Sequence, residues 1–530
     1  METKETSPQI CIIPQPAHSE GLDGFFTLDH ETPLALRNVD EDTADYIRGF
    51  LNTRLGIDPP PCRDAEGGGT NRIVFTLDEN EAPRGEGAYR LTVENGCIRA
   101  CAGFRTGLVY ALQSLYQLIA LYNGSGGGGR QKKTVPHIRI TDYPRFEWRG
   151  YMLDVSRHFF SVDHIEKQLD LMALYKLNKF HWHFTDDHGW RMETETYPRL
   201  MDIGAWRPDR SGAPWKQCRP PQKGEPAVYG GYYTRGEMRH VVHYAARRGI
   251  DVIPEIEIPG HCSEVLAAYP EFACDDFPYT VQTGRYWPPK AILCGGNDGV
   301  MRFLFDILEE AAGIFPSPYI HIGGDEAHKG NWKKCPKCQR RIKERKLKNE
   351  EALQGWMIRE AERHLAALGK KSIGWDEILE GGVSKNAVIM YWRDWKGEGR
   401  IAEAARRGHD IIACPASHCY LDYSECKDES GREGTGRYLS LKKAYAFEPL
   451  PRGLEGNAAQ HILGGQGNLW TEYVYTPACA EYRLLPRLLA LSEALWTPPD
   501  ARSWEGFAGK LPLHRECLSS LGYQFHRLSL

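Results

Sequence analysis

The sequence predicts an α/β protein, a (β/α)8 TIM barrel preceded by a small α+β domain, and three observations lead there. From Gly150 onward, short runs of bulky residues alternate eight times with helical segments, the pattern of parallel strands joined by crossover helices. Ahead of that point, strands and turns alternate and end in one apolar helical run, Thr106 to Tyr122. The chain has 530 residues, too many for one ordinary core and enough for a barrel of roughly 250 residues or more with smaller companions. The expected units are residues 1–142 for the α+β domain, 143–505 for the barrel and 506–530 for a helical tail packed on the barrel.

In the first unit, Arg72–Leu77 and Tyr89–Val93 read as strands, and Val135–Ile140 as the last strand before the barrel. Between them, Asn123-Gly-Ser-Gly-Gly-Gly-Gly129 marks a flexible surface loop. The barrel strands are expected at Gly150–Val155, Lys179–Phe184, Asp251–Ile256, Tyr319–Ile322, Ser372–Trp375, Ala387–Trp392, Asp410–Cys414 and Ile462–Trp470. Helices lie between them. Val162–Tyr175 follows a Ser161 cap, and Arg235–Arg248 is introduced by Thr234-x-x-Glu237, a capping box in which each side chain accepts from the other residue's amide.

Composition excludes several classes. The formal net charge is −4 and no Lys/Arg run stands out, so neither a nucleic-acid nor a membrane partner is expected. No stretch reaches the roughly 18 apolar residues of a membrane helix, and Met1 to Gln9 has no apolar core of a signal peptide. The expected compartment is the cytoplasm, or the periplasm or exterior if a signal has been removed. The 15 Cys are scattered and odd in number, which argues against a fully paired disulfide framework. Cys335-Pro-Lys-Cys338 is the one close pair, and a zinc site would want a second pair at similar spacing. None follows it, so the pair is expected in a structural loop and no metal ligands are assigned.

Barrels carry their chemistry at the C-terminal ends of the strands. Tyr319–Ile322 runs into Gly323 and Gly324 and then Asp325 and Glu326. The glycines leave no side chain beside the carboxylates, so a ligand is expected to come close to the backbone there. A plainer reading makes Asp325-Glu326 a cap on the next helix. The other strand ends weigh against it, because polar and aromatic groups recur there: Asp154 and Arg157, Asp186 to Arg191, Glu255 to His261, Trp375-Asp376-Glu377, Trp392 to Trp395, Tyr420 and Asp422, and Trp470 and Glu472. Acids for hydroxyl recognition, indole walls and one forked arginine donor fit a monosaccharide pocket. His181 and His183 read as a buried pair satisfied by neighbours, although a metal hydrolase would also draw His and Asp from barrel strands.

Four motifs in order then make a resemblance specific. Arg149-Gly-Tyr-Met-Leu-Asp-Val-Ser-Arg157-His-Phe, His181-Trp-His-Phe-Thr-Asp-Asp-His-Gly-Trp-Arg191, Pro254-Glu-Ile-Glu-Ile-Pro-Gly-His261 and His321-Ile-Gly-Gly-Asp-Glu326 together resemble glycoside hydrolase family 20, the β-N-acetylhexosaminidases. The resemblance covers nearly the whole chain, since that family commonly has a small α+β domain before its barrel.

It implies an exo-acting hydrolase that removes terminal β-linked N-acetylglucosamine, and N-acetylgalactosamine, from glycans, with no cofactor. It also implies retention through substrate assistance, in which the 2-acetamido oxygen of the sugar is the nucleophile. Glu326 matches the general acid and base, with a pKa expected to be raised by its neighbour and by burial. Asp325 matches the group that accepts the acetamide N–H, and Tyr420 the donor to the acetamide oxygen. Arg157 matches the ligand of the sugar 3- and 4-hydroxyls, Asp422 and Glu472 the acceptors of the 4- and 6-hydroxyls, and Trp375, Trp392 and Trp470 the pocket wall. Asp187 and His261 resemble a pair that steadies Glu326. Loops at Arg207–Tyr233 and Lys334–Lys348 are expected to border further subsites. Oligomeric state and linkage are not encoded in any of these motifs. A sugar-binding protein that has lost catalysis is the rival reading, and it would lack one of the two acids.

Overall fold

The computed structural model describes residues 10–62, 71–80, 82–83, 85–123, 132–284, 290–427 and 433–526. Eight parallel strands close into one barrel, each hydrogen-bonded to the next in chain order and the last to the first. They are Trp148–Asp154, Lys179–His183, Asp251–Glu255, Tyr319–His321, Lys371–Trp375, Val388–Tyr391, Ile411–Ala413 and Ile462–Leu469. Every expected strand is present with ends moved by one or two residues. The fourth has only three residues, as has the seventh, and soon after it Gly323 and Gly324 turn to φ +62° and +100° and take the chain out of the ladder.

Local chemistry sets the helices. Val162–Leu174 starts at Ser161, whose side chain accepts from the His164 amide, and Arg235–Ala246 starts at Thr234, where both halves of the capping box with Glu237 form. No helix among the described residues is long and apolar enough to cross a membrane.

The smaller domain is a mixed six-stranded sheet in the order His18–Leu28, Lys133–Asp142, Tyr89–Glu94, Cys97–Ala102, Arg72–Leu77, Leu34–Arg37, with helices Glu41–Leu55 and Arg105–Asn123. His18–Leu28 escapes sequence reading because it is a largely exposed edge strand, with a register shift between Gly21 and Phe25. The glycine-rich loop expected after Asn123 lies outside the described residues, as does Met1 to Gln9.

A buried ion pair docks the two units. Lys176 Nζ meets Asp142 Oδ2 at 2.8 Å, and the same carboxylate accepts from Tyr89 Oη at 2.7 Å and, through Oδ1, from Trp496 Nε1 at 2.8 Å. The C-terminal helix, Trp504–Ser520, contacts both the barrel and the start of the described chain. Its Lys510 donates to the Ile12 carbonyl at 3.0 Å and its His514 Nε2 meets the Cys11 carbonyl at 2.7 Å, while His514 Nδ1 meets Tyr175 Oη at 2.9 Å. It pins the start of the described chain onto the barrel.

Candidate active site

A cavity of about 390 Å³ opens at the C-terminal mouth of the barrel. Arg157, Asp187, His261, Asp325, Glu326, Trp392, Tyr420, Asp422, Trp470 and Glu472 all line it, so ten of the eleven residues singled out in the sequence converge on one space. The eleventh, Trp375, is only 1% exposed and is not part of the lining. It packs against Trp470, ring centroids 5.8 Å apart, and its indole N–H donates to Glu255 Oε1 at 2.8 Å. The wall is made by Trp470 and by Trp392, which stacks on Tyr420 at 6.0 Å.

Asp325 and Glu326 leave the fourth strand together and are held from one side by a single imidazole. His261 Nε2 lies 3.7 Å from Asp325 Oδ2 and 3.6 Å from Glu326 Oε2. Its Nδ1 is 3.2 Å from Asp187 Oδ2 and 3.2 Å from Asp186 Oδ1. Burial works against a charged ring here, but the carboxylates of Asp186, Asp187 and Glu326 override it and raise the His261 pKa well above the usual value. His261 and Glu326 both sit in the left-handed region, at φ +45° and +42°. For residues with a Cβ that conformation is unfavourable and persists only where surroundings enforce it.

Arg157 is fixed by two acids, with Nη1 3.2 Å from Asp154 Oδ2 and Nη2 2.7 Å from Asp186 Oδ2, and its guanidinium lies 5.1 Å from the Trp470 ring centre. Beneath the site, Glu255 gathers His181 at 2.9 Å, His321 at 2.7 Å and His183. His181 and His183, two apart on one strand, therefore share a face and spend their nitrogens on Glu255, Asp186 and Gln466. That is the satisfied arrangement expected of them.

Asp186 and Asp187 are held below the usual carboxylate range by Arg157 and His261, but other acids at and beside the pocket are pushed toward their neutral forms. Burial raises Asp325 to about 6, opposed by His261 and reinforced by Glu326. Burial, then Asp325 and Asp376, raise Glu377 to about 8, and burial with Glu472 raises Asp422 well above the carboxylate range. Asp325 Oδ1 and Asp422 Oδ1 are buried with no hydrogen-bond partner among the described residues. Buried acceptors of this kind suit a ligand that brings N–H and O–H donors.

The glycines before the acids differ from their expected use. A Cβ at Gly323 would stand 1.8 Å from Glu257 Oε2 and one at Gly324 2.4 Å from Ile378 Cγ2, so protein, not ligand, fills the space. Gly324→Ala adds that clash to a backbone at φ +100°, and is expected to cost about 2–4 kcal/mol in urea or thermal unfolding and to displace Asp325. Wild-type stability in this variant would show that the turn does not require glycine.

Of the two flagged loops, Arg207–Tyr233 contributes Trp215 to the cavity, whereas Lys334–Lys348 forms helix Pro336–Glu344 and adjoining turns and contributes no lining residue. Sequence reading missed Gln282, Tyr423 and Arg437, which also line the space. Arg437 donates to Tyr423 Oη at 2.9 Å, in a segment without recognisable motif, and only the fold brings it to the mouth.

Two family models together account for most of the chain: "Glycosyl hydrolase family 20, domain 2" matches residues 9–143 and "Glycosyl hydrolase family 20, catalytic domain" matches residues 146–499. The chain is 37% identical to a Beta-hexosaminidase of Porphyromonas gingivalis over 99% of its own length, and spans 65% of that relative. It is 31% identical to a Beta-N-acetylhexosaminidase of Cellulomonas fimi, covering 98% of this chain and 96% of the other. Among solved structures, a GH20 Exo beta-N-Acetylglucosaminidase from Vibrio harveyi in complex with N-acetylglucosamine superimposes with a TM-score of 0.86 at 32% identity, over 98% of this chain and 79% of that one. Motifs, barrel, small domain and both family models agree, and the chain belongs to glycoside hydrolase family 20.

Proposed function

We propose that this chain is an exo-β-N-acetylhexosaminidase that hydrolyses terminal non-reducing β-linked N-acetylglucosamine, and N-acetylgalactosamine, through a retaining, substrate-assisted mechanism. The observation that carries the reading is that His261 reaches both Asp325 and Glu326, so both acids approach a bound sugar from one strand end. An ordinary retaining glycosidase places an acid and a nucleophile on opposite faces of the scissile bond, about 5 Å apart. Neighbouring residues held by one imidazole are poorly disposed for that. The sugar's own acetamide oxygen then serves as nucleophile, with the advantage of an intramolecular reaction.

In this reading Glu326 gives its proton to the glycosidic oxygen as the C1–O bond breaks and the acetamide oxygen bonds to C1, forming an oxazolinium ion. Asp325 accepts the acetamide N–H and its charge faces the positive charge that develops there. Tyr420 donates to the acetamide oxygen. Glu326, now ionised, takes a proton from water as the water attacks C1, which reopens the ring and restores the acid. Arg157, already oriented by Asp154 and Asp186, donates to the 3- and 4-hydroxyls, and Asp422 and Glu472 accept from the 4- and 6-hydroxyls. Trp392 and Trp470, backed by the buried Trp375, enclose the acetamide. His261, hydrogen-bonded to Asp187, stands 3.6 Å from Glu326 Oε2 and fixes where that carboxyl meets the leaving oxygen and the attacking water.

The test is release of p-nitrophenol from the β-N-acetylglucosaminide, the β-N-acetylgalactosaminide and the plain β-glucoside at one pH. Cleavage confined to the two acetamido sugars is expected. Equal cleavage of the glucoside would make a protein carboxylate the nucleophile and overturn the mechanism while leaving the fold intact.

A further inference from the structure

Four cysteines converge away from the barrel mouth. Cys335 and Cys338, the close pair seen in the sequence, are not bridged, and two cysteines from the preceding excursion, Cys274 and Cys294, come to meet them. Cys294 Sγ is 3.7 Å from Cys335 Sγ and 3.6 Å from Cys338 Sγ, and Cys274 Sγ is 3.7 Å from Cys338 Sγ. All four sulfurs lie within 4.8 Å of one another. Sulfurs at tetrahedral corners around an ion 2.3 Å from each stand about 3.8 Å apart. Three of the four cysteines are buried and none lines the sugar cavity. The second pair is missed in the sequence because it precedes the first and is itself widely split, so no motif spacing announces it.

We propose that Cys274, Cys294, Cys335 and Cys338 hold one structural zinc ion as a tetrathiolate site. Two local features support the ligand geometry. A Cβ at Gly296 would stand 2.1 Å from the Lys337 carbonyl carbon, so the turn after Cys294 is pressed onto the Cys335–Cys338 loop in a way that only glycine permits. Lys333, Lys334 and Lys337 flank that loop and are exposed, which suits the net negative charge of zinc with four thiolates. The set is closed, with four protein ligands and no place for a reacting water, which marks a structural role. Zinc, with no redox chemistry, serves such a role better than the iron that the same ligands accept.

The consequence is mechanical. The site ties the excursion after the third strand to the segment just beyond Asp325 and Glu326. The excursion carries Gln282, which lines the sugar cavity, donates through its backbone to the Asp187 carbonyl at 2.9 Å and through its side chain to Ser263 Oγ at 2.8 Å. Trp332 Nε1, next to the cysteine pair, donates to the Leu293 carbonyl at 2.9 Å, and the Leu293 amide donates to the Pro259 carbonyl at 2.9 Å, two residues from His261. The metal is thereby a clamp between the loops that hold the two acids and the imidazole behind them.

The experiment is metal analysis of the intact chain, purified without chelator, together with mercurial titration monitored by a zinc-sensitive dye. About one zinc per chain is expected, released as four thiols react. Cobalt(II) in its place should give the strong visible bands of tetrahedral thiolate cobalt. Cys294→Ser and Cys335→Ser should lose the metal, and Cys426→Ser, at an exposed cysteine, should keep it. If the serine variants do not fold, the cobalt spectrum of the wild-type chain decides. Absence of metal with the four thiols titratable, iron in place of zinc, a non-thiolate cobalt spectrum, or full zinc in Cys294→Ser would each overturn the proposal. None of these readouts depends on glycosidase activity.

Discussion

Glu326→Gln is expected to lower kcat by about 10²–10⁴-fold on natural glycans, with KM changed little. The amide cannot protonate the departing oxygen or deprotonate water, yet it keeps the volume of the carboxyl group and its hydrogen-bond acceptor. On aryl glycosides the first step needs less acid assistance because the phenolate leaves readily, so the loss should be smaller there and should shift toward intermediate hydrolysis. The comparison to make is steady-state kinetics of both proteins on chitobiose and on the p-nitrophenyl glycoside. Equal loss on the two substrates, or loss of product binding by calorimetry, would mean that the substitution damages the site instead of its acid.

Asp325→Asn is expected to combine a large loss of activity with a gain in stability, a pairing that separates its role from a structural one. The variant keeps the shape but cannot accept the acetamide N–H as an anion or oppose the charge of the oxazolinium, and kcat/KM is expected to fall by about 10²–10³-fold. In the wild-type chain burial raises the Asp325 pKa to about 6, from an ordinary 3.8. Between those values the folded protein binds a proton that the unfolded chain has lost, so stability falls as pH rises through that window and stays lower above it. Asparagine removes this penalty, and the variant should be more stable than wild type at pH 8 by about 1–3 kcal/mol, with the difference gone near pH 3.5. The same carboxyl should give wild-type kcat/KM a decline below about pH 6, as protonation removes the acceptor. Unfolding curves at the two pH values and a kcat/KM profile check both signs. A variant with full activity, or one that loses stability at pH 8, would remove Asp325 from the role proposed for it.

These expectations draw on a site whose members were largely legible in the sequence, and the reason is geometric. A parallel barrel strand delivers whatever follows it to one rim, so Asp325, Glu326, Arg157, Asp187 and His261 could be placed at the mouth by knowing only where their strands end. The helices were legible for the same local reason: Ser161 and the Thr234–Glu237 box act within one turn. What resisted reading depends on partners distant in the chain. Trp375 is the last residue of its strand, whereas Trp392 and Trp470 come just after theirs, and its packing against Trp470 and its bond to Glu255 keep it below the surface. Gly323 and Gly324 suggested room for a ligand until Glu257 and Ile378 were found in that room.

By itself the sequence determined the eight-strand alternation, the order of motifs, the two acids and the family they resemble, because each of these is carried by neighbours a few residues apart or by the strand that precedes them. Tertiary structure alone decided which indoles face the cavity, that His261 serves both acids at once, that Arg437 and Gln282 reach the mouth, and that Cys274 and Cys294 complete the quartet begun by Cys335 and Cys338. Each of those depends on contacts between segments far apart in the chain, and burial and distance at such contacts are set by how the whole barrel closes.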